Sequence, residues 1–138
     1  MEEKKYVTEW ANENLGLTLR ITNMVHEEQT PFQHIQIADT LEYGRLLILD
    51  GVFQTSVKDE WTYHEMISHV PLMLHPHPER VLIIGGGDGG VAREVCRHDC
   101  VNRVDLCDID GRVIELSKEY FPTISTVLRN PPESSTST

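Results

Sequence analysis

Apolar and polar residues alternate with a period of two through much of the first 57 positions. The clearest case is the segment 17–22, LTLRIT, and such alternation is typical of a strand with one buried face. Two later apolar runs, at 45–49 and 52–57, flank Asp50-Gly51, a pair that favours a tight hairpin turn because both central residues need positive φ. Residues 5–57 are therefore predicted to form antiparallel β-hairpins.

After Lys58 the apolar residues take the spacing of one face of a helix. Asp59 is its predicted N-cap. Pro71 is predicted to end it, because proline disfavours the helical conformation in the residue before it. His64 falls beside the apolar face and not at its centre. The predicted face consists of Tyr63, Met66, Ile67, Val70 and Leu74.

The next segments alternate between strand and helix. The pattern predicts strands at 80–84 and 103–107 and helices at 91–98 and 112–120, which is the opening of a doubly wound sheet. The predicted fold class is α/β, with an N-terminal antiparallel β-domain followed by the first part of a parallel sheet. The predicted domains are 1–58 and 59–130, and the tail 131–138 is expected to be disordered because it has no apolar periodicity.

A glycine-rich turn separates the first parallel strand from the helix after it. Gly85, Gly87 and Gly90 form a Gly-x-Gly-x-x-Gly motif, and Asp108 lies 21 residues after Gly87. In this context the motif predicts a nucleotide site, in which Asp108 accepts hydrogen bonds from two ribose hydroxyls. The alternative is a turn that only packs the helix on the strand.

Asp88, inside this turn, bears on the kind of nucleotide. Its carboxylate would repel a pyrophosphate, and no Lys or Arg precedes Arg93 in the turn. A sulfonium nucleoside such as S-adenosylmethionine, or its decarboxylated form, fits better, and Asp88 could then face a positive centre. The alternative is a carboxylate that only favours the helix dipole.

Charge and composition narrow the function classes. The formal net charge of -10 argues against a general nucleic-acid binder and suits a cationic partner. No segment is apolar enough to span a membrane, and no signal peptide is expected. Three Cys without a Cys-x-x-Cys pair favour a reducing, cytoplasmic location. His75 and His77 have no partners at ligand spacing, so no metal is expected.

Four segments carry a resemblance to a known family: 26–34, 49–55, 59–66 and 81–90. Together they resemble the spermidine synthases, which are polyamine aminopropyltransferases. The resemblance implies a β-domain on a Rossmann-like, methyltransferase-type domain, and a homodimer or homotetramer. It also implies transfer of an aminopropyl group from decarboxylated S-adenosylmethionine to putrescine, giving spermidine and methylthioadenosine. The donor is a co-substrate, and no cofactor is implied.

The resemblance also assigns roles to particular residues. It implies that Gln33 and Asp108, with Gly85 and Gly87 of the turn, hold the nucleoside. The polyamine would be held by His64 and Asp88, with Tyr63 and Gln54 lining the same pocket.

The chain departs from the family near residue 131, where relatives continue with Pro-Arg-Val and another strand. The family's proton-accepting Asp would lie beyond residue 138, so no catalytic residue is assigned here. The expectation is an N-terminal part of a synthase, inactive alone. A putrescine methyltransferase on the same scaffold, and a non-catalytic fragment that assembles with full-length subunits, are the alternatives. Asp88 opposes a third, an NAD-dependent dehydrogenase.

Overall fold

The computed structural model describes residues 5–130 and divides into two compact units. The boundary between the units lies between Glu60 and Trp61. The tail for which disorder was predicted, 131–138, lies outside the described residues.

The first unit is a single antiparallel sheet of five strands, which confirms the predicted hairpins. The strands follow one another in space in the order of the sequence. The Phe53 N–H donates to the Glu9 carboxylate at 3.1 Å, so the sheet curls into a half-barrel whose two outer strands meet. The strands are β1 (Lys5–Asn12), β2 (Leu15–Gln29), β3 (His34–Thr40), β4 (Gly44–Leu49) and β5 (Val52–Ser56).

The turn between β4 and β5 has the predicted conformation. Asp50 and Gly51 have φ of 50° and 79°, the positive values that a type I′ turn needs at both central positions. The Asp50 carboxylate also accepts the His34 N–H at 2.8 Å, so the turn is tied to the start of β3.

The core of the first unit lies on the two inner strands. Its largest buried side chains belong to β3 and β4, and each contributes about 1.5–3 kcal/mol by leaving water. The period-two alternation of segment 17–22 does not by itself produce burial. Ile21 is buried, whereas Leu17, nearer the turn between β1 and β2, is exposed. The core residues are Ile35, Ile37, Ala38, Leu46, Leu47 and Ile48.

The second unit joins a two-stranded parallel sheet to helices, as the α/β prediction requires. β6 and β7 pair in register from Arg80↔Arg103 to Ile84↔Cys107. The helix after β6 ends at Val95, three residues earlier than predicted, and a short fourth helix was not predicted. The elements are α1 (Glu60–Leu74), β6 (Arg80–Ile84), α2 (Gly90–Val95), β7 (Arg103–Cys107), α3 (Gly111–Tyr120) and α4 (Thr126–Arg129).

The prediction that Pro71 ends α1 was wrong, because the helix continues to Leu74. Proline removes one N–H from the helical ladder, but its carbonyl still accepts the His75 N–H at 3.0 Å. The apolar face picked out by the spacing is not the side of α1 that packs on the rest of the unit. α1 buries His64, Ser68 and Leu72, spaced by four residues. The apolar set that the sequence pattern selected is exposed.

One face of the parallel sheet carries the core of this unit. Ile83 of β6 packs with Leu72 of α1 and with Ala92 and Val95 of α2. Phe121 and Ile124, after α3, are also fully buried. This packing fixes the start of α2, and with it the glycine turn, against the carboxyl end of β6.

Candidate functional site

The glycine turn starts where β6 ends. Gly85, Gly86 and Gly89 have φ of 78°, 73° and 87°, values that residues with a Cβ rarely adopt. The Gly85 N–H donates to the Cys107 carbonyl at 2.8 Å, so the turn is joined to the end of β7. The carboxyl ends of both strands therefore meet at this turn, which is where α/β sheets bind ligands.

Asp108 lies at that edge and is hydrogen-bonded to the turn. Its Oδ2 accepts the Gly87 N–H at 2.9 Å, and its Oδ1 accepts the Asp110 N–H at 2.9 Å. A Cβ at Gly87 would lie 2.7 Å from this Oδ2. The close approach of the Asp108 carboxylate to the turn therefore requires glycine at position 87. Each carboxylate oxygen keeps further acceptor capacity for hydroxyl donors.

Asp110 is a structural residue at this edge that the sequence analysis missed. It is buried, it is the N-cap of α3, and its Oδ1 accepts the Arg112 N–H at 3.0 Å. An Asp directly before a helical segment is a recognisable N-cap signal. Asp110 fixes the backbone N–H that in turn holds Asp108.

His64 and Asp88 form the second cluster at the turn. Nε2 of His64 lies 3.3 Å from Oδ1 of Asp88, and the same oxygen accepts the Gly90 N–H at 2.6 Å. His64 is only 1% exposed, so its ring contacts the rest of the chain and not solvent. Oδ2 of Asp88 makes no hydrogen bond within the described residues.

The imidazole of His64 lies directly against the backbone of Gly90. A Cβ built on Gly90 would meet Nδ1 at 2.2 Å and Cε1 at 2.3 Å. The third glycine of the motif is therefore required by a histidine 26 residues earlier in the chain. This contact packs α1 on the start of α2.

Asp88 is held in its charged form. Burial by itself raises the pKa of this carboxyl, but the His64 hydrogen bond, the Gly90 N–H and the positive charges of His64 and Arg93 outweigh burial. The net result is a pKa below the ordinary value. The carboxylate is thus a local structural acceptor at the start of α2 and also a fixed negative charge beside the turn.

Tyr63 is the exposed neighbour of this pair. Its ring meets the His64 ring edge-on, with centroids 5.5 Å apart and an angle of 68° between planes. The structure thus brings together Tyr63, His64 and Asp88 on one side of the turn and joins Asp108 to Gly87 within the same unit.

Gln33 and Gln54, the other two predicted site residues, belong to the first unit. Gln33 sits in the β2–β3 turn, where its N–H donates to Thr30 Oγ1 at 3.1 Å and its carbonyl accepts the Thr30 N–H at 2.9 Å. Gln54 is exposed on β5. Their roles remain predictions.

A further polar cluster, also missed by the sequence analysis, links α1 to α2. The buried carboxylate of Glu94 accepts from Arg93 Nε at 2.8 Å and from Arg97 Nη1 at 2.6 Å. His69 Nε2 lies 3.4 Å from Glu94, and its Nδ1 is 2.8 Å from Nε2 of His98. Burial raises the pKa of Glu94, but the two arginines bring it below its ordinary value.

Two kinds of site are absent from the described residues. Between positions 5 and 130, no group of three or more His, Cys, Asp or Glu residues is arranged to hold a metal ion. Over the same positions, no helix is both long enough and apolar enough to cross a membrane.

Comparison with known families gives two matches that together span most of the chain. The spermine/spermidine synthase domain matches residues 60–133, and the spermidine synthase tetramerisation domain matches residues 6–56. Among curated relatives, the polyamine aminopropyltransferase of Bacillus subtilis (strain 168) is 50% identical over 126 residues. The polyamine aminopropyltransferase 1 of Bacillus cereus is 52% identical over 125 residues.

Each of these matches covers 91% of this chain and 46% of the relative, so the chain spans about half the length of the curated relatives it matches.

Solved structures of the same family resemble this chain over a similar share of their length. The spermidine synthase from Thermotoga maritima superposes with a TM-score of 0.87 at 42% identity, over 91% of this chain and 45% of that one. A spermidine synthase in complex with the transition state analogue AdoDATO gives 0.88 at 41% identity, over 92% and 45%.

Proposed function

Because the chain belongs to the spermine/spermidine synthase family, we propose that it forms the substrate-binding N-terminal part of a polyamine aminopropyltransferase. The proposed reaction moves an aminopropyl group from decarboxylated S-adenosylmethionine to putrescine. The putrescine nitrogen bonds to the carbon beside the sulfonium, the carbon–sulfur bond breaks, and its electron pair stays on sulfur. The products are methylthioadenosine, spermidine and one proton.

The observation that carries this proposal is the His64–Asp88 pair at the glycine turn. Putrescine is cationic at neutral pH, since its amines have pKa values near that of lysine, about 10.4. A carboxylate whose pKa lies below its ordinary value attracts such a cation at any pH in the cell. Oδ2 of Asp88, which makes no hydrogen bond within the described residues, is the proposed acceptor for the ammonium group.

His64 is proposed to act mainly through Asp88, because its ring is buried against Gly90. Its hydrogen bond to Oδ1 holds the carboxylate in one orientation and keeps it charged. Tyr63 and Gln54, both exposed, are proposed to line the same polyamine pocket.

The nucleoside side of the site is proposed to consist of Asp108, Gln33, Gly85 and Gly87. Asp108 is already oriented by the Gly87 and Asp110 amides, so it can accept ribose hydroxyls with little reorganisation. Asp88 already accepts the Gly90 N–H at the start of α2. This supports a nucleoside without phosphates, because a phosphate would compete with Asp88 for that donor.

The organisation of the whole protein is also part of the proposal. Residues 1–58 and 59–130 are proposed to be the β-domain and the partial Rossmann-like domain, which agrees with family matches to 6–56 and 60–133. The family matched at residues 6–56 is described as a tetramerisation domain, which supports an oligomer, proposed here as a homodimer or homotetramer. The free thiols of Cys96, Cys100 and Cys107 suit a reducing cytoplasm.

None of the described residues is proposed as the proton acceptor, and the 138 residues alone are expected to bind substrates without turning them over. Calorimetric titration of the chain should detect methylthioadenosine, and Asp108→Asn should weaken that binding about 10- to 100-fold through loss of a charged acceptor. With methylthioadenosine present, putrescine should bind, and Asp88→Asn should weaken this by a similar factor. Glu119→Gln, an exposed carboxylate change on α3, is the matched control.

Several outcomes would contradict the proposal. Unchanged putrescine binding by Asp88→Asn, or unchanged methylthioadenosine binding by Asp108→Asn, would contradict the role proposed for that residue. Spermidine formed by the purified 138 residues would refute the expected inactivity. Turnover by the completed protein that yields S-adenosylhomocysteine would indicate a methyltransferase. Co-purification with an intact synthase, without nucleoside binding by the chain, would favour a non-catalytic assembly role.

A further inference from the structure

Glu94 is a buried carboxylate that the proposed reaction does not use, and it holds Arg93 in one orientation. Glu94 is 3% exposed, and its Oε1 accepts Arg93 Nε at 2.8 Å. The same guanidinium reaches the chain between α3 and α4, where Arg93 Nη1 donates to the Thr123 carbonyl at 3.1 Å. Arg93 therefore joins α2 to the part of the chain that follows α3.

That part of the chain lies directly against the glycine turn. We define residues 121–128 as the α4 segment. A Cβ built on Gly89 would meet Cδ1 of Leu128 at 2.7 Å and Cα of Ser125 at 3.0 Å. The Ser125 hydroxyl donates to the Ser117 carbonyl at 3.0 Å, which fastens the segment to α3. The α4 segment is thus held between α3 and the turn.

Gly89 separates Asp88 from the N–H that the Asp88 carboxylate accepts. Oδ1 of Asp88 accepts the Gly90 N–H at 2.6 Å, so a shift of Gly89 moves this acceptor and its donor relative to each other. The ring of His64 packs on Gly90, and the α4 segment packs on Gly89. The orientation of the Asp88 carboxylate therefore depends on the α4 segment as well as on α1.

We propose that Arg93 is a positioning residue for the polyamine site. By joining Glu94 to the Thr123 carbonyl, it holds the α4 segment against the glycine turn. The Asp88 carboxylate is thereby kept aimed at the ammonium group of the amine substrate. The proposal rests on the proposed function and deepens it, because it adds a residue that shapes the amine site without touching the amine.

The charges around Asp88 make its pKa a direct measure of this positioning. Burial raises the pKa of Asp88, whereas hydrogen bonds from His64 and the Gly90 N–H and the positive charges of His64 and Arg93 lower it. His64 belongs to α1 and Arg93 to α2, and the α4 segment contains no ionisable residue. A carboxylate that moves away from these donors, while the charge of Arg93 is kept, should have a pKa closer to its ordinary value.

The test measures two properties of the full 138-residue chain and its variants, after circular dichroism has shown that each is folded. Nuclear magnetic resonance of isotope-labelled aspartate carboxyls gives the pKa of Asp88, and Asp88→Asn assigns its signal. Calorimetric titration gives the affinity for methylthioadenosine, and then for putrescine with methylthioadenosine present. The pKa needs no ligand, so it is independent of the proposed function.

Arg93→Lys keeps the positive charge but replaces two donor nitrogens by one. It should raise the pKa of Asp88 and weaken putrescine binding about 2- to 30-fold, the range for substitutions that act without touching the ligand. Methylthioadenosine binding should not change. Arg97→Lys is the matched control, because Arg97 donates to the same Glu94 carboxylate at 2.6 Å but has a side chain that is 62% exposed. It should change neither property.

Leu128→Ala tests the same route from the other end. It removes the side chain that packs on Gly89, so it should also raise the pKa of Asp88 and weaken putrescine binding. If Arg93 acts through the α4 segment, the losses of affinity in Leu128→Ala and Arg93→Lys should not add in the double variant.

Each outcome decides the proposal. An unchanged Asp88 pKa in Arg93→Lys would overturn it, as would equal effects of Arg93→Lys and Arg97→Lys. Equal losses of putrescine and methylthioadenosine affinity would indicate general damage to the fold, and full additivity with Leu128→Ala would indicate a separate route; both would overturn it. A parent chain that binds no putrescine would contradict the proposed function, while a raised Asp88 pKa in Arg93→Lys alone of the two Lys variants would still support the positioning role.

Discussion

Gly90→Ala tests the most specific contact of the candidate site. The added methyl carbon would lie 2.2 Å from Nδ1 of His64, whereas non-bonded atoms settle at about 3.5 Å or more. The ring must therefore move by about 1.3 Å, which exceeds what a packed interior absorbs without cost. That movement also breaks the 3.3 Å contact between His64 and Asp88.

The expected magnitude follows from two opposing effects. Overpacking of this size costs about 1–3 kcal/mol. Replacing glycine by alanine in a helix gains up to about 1 kcal/mol. Gly111→Ala isolates the gain, because Gly111 is also the first residue of its helix and a Cβ there meets nothing within 4 Å. The two variants should differ by about 1–3 kcal/mol, or about 5- to 160-fold in the unfolding equilibrium.

The assay follows urea unfolding of the second unit. Trp10 and Trp61 are the only tryptophans, so a Trp10→Phe background leaves Trp61 as the reporter. Gly90→Ala is then measured with His64 intact and with His64→Ala, which removes the ring. The cost should disappear in the second background, because the ring that the methyl group would meet is gone. An equal cost in both backgrounds would refute it.

Three further predictions concern the charge of Asp88 and two other glycines. The folded-state pKa of Asp88 lies below the unfolded value of about 3.9, so its stabilisation is complete above that pH and is lost as pH falls through the folded-state pKa. Urea midpoints between about pH 4 and 2 should fall less steeply in Asp88→Asn than in the parent chain. Gly87→Ala should displace Asp108, because the added methyl group would lie 2.7 Å from Oδ2 of Asp108. Methylthioadenosine binding, measured by calorimetric titration, should weaken about 10- to 100-fold. An unchanged affinity would contradict this prediction. Gly51→Ala should destabilise the first unit by about 1–2 kcal/mol, followed by Trp10 fluorescence, because φ there is 79°.

The sequence determined the features that depend on neighbouring residues. Asp50-Gly51 adopts positive φ at both positions because the turn chemistry is local. The strands at 80–84 and 103–107 were predicted at their observed bounds, since short branched runs between glycines and charged residues need no distant partner to be recognised. The fold class, an antiparallel domain followed by a parallel sheet, followed from the change after Lys58 from period-two alternation to helical spacing.

Only the tertiary structure decided how these elements face one another. Helical periodicity identified one apolar face of α1, yet the unit packs against the other side, at His64, Ser68 and Leu72. A periodic pattern shows that a face is apolar, but not which surface covers it. The contact of His64 with Gly90 and the hydrogen bond from Gly87 to Asp108 join residues more than 20 positions apart. Such contacts depend on how strands and helices pack in three dimensions, and they place His64 beside Asp88 and orient Asp108.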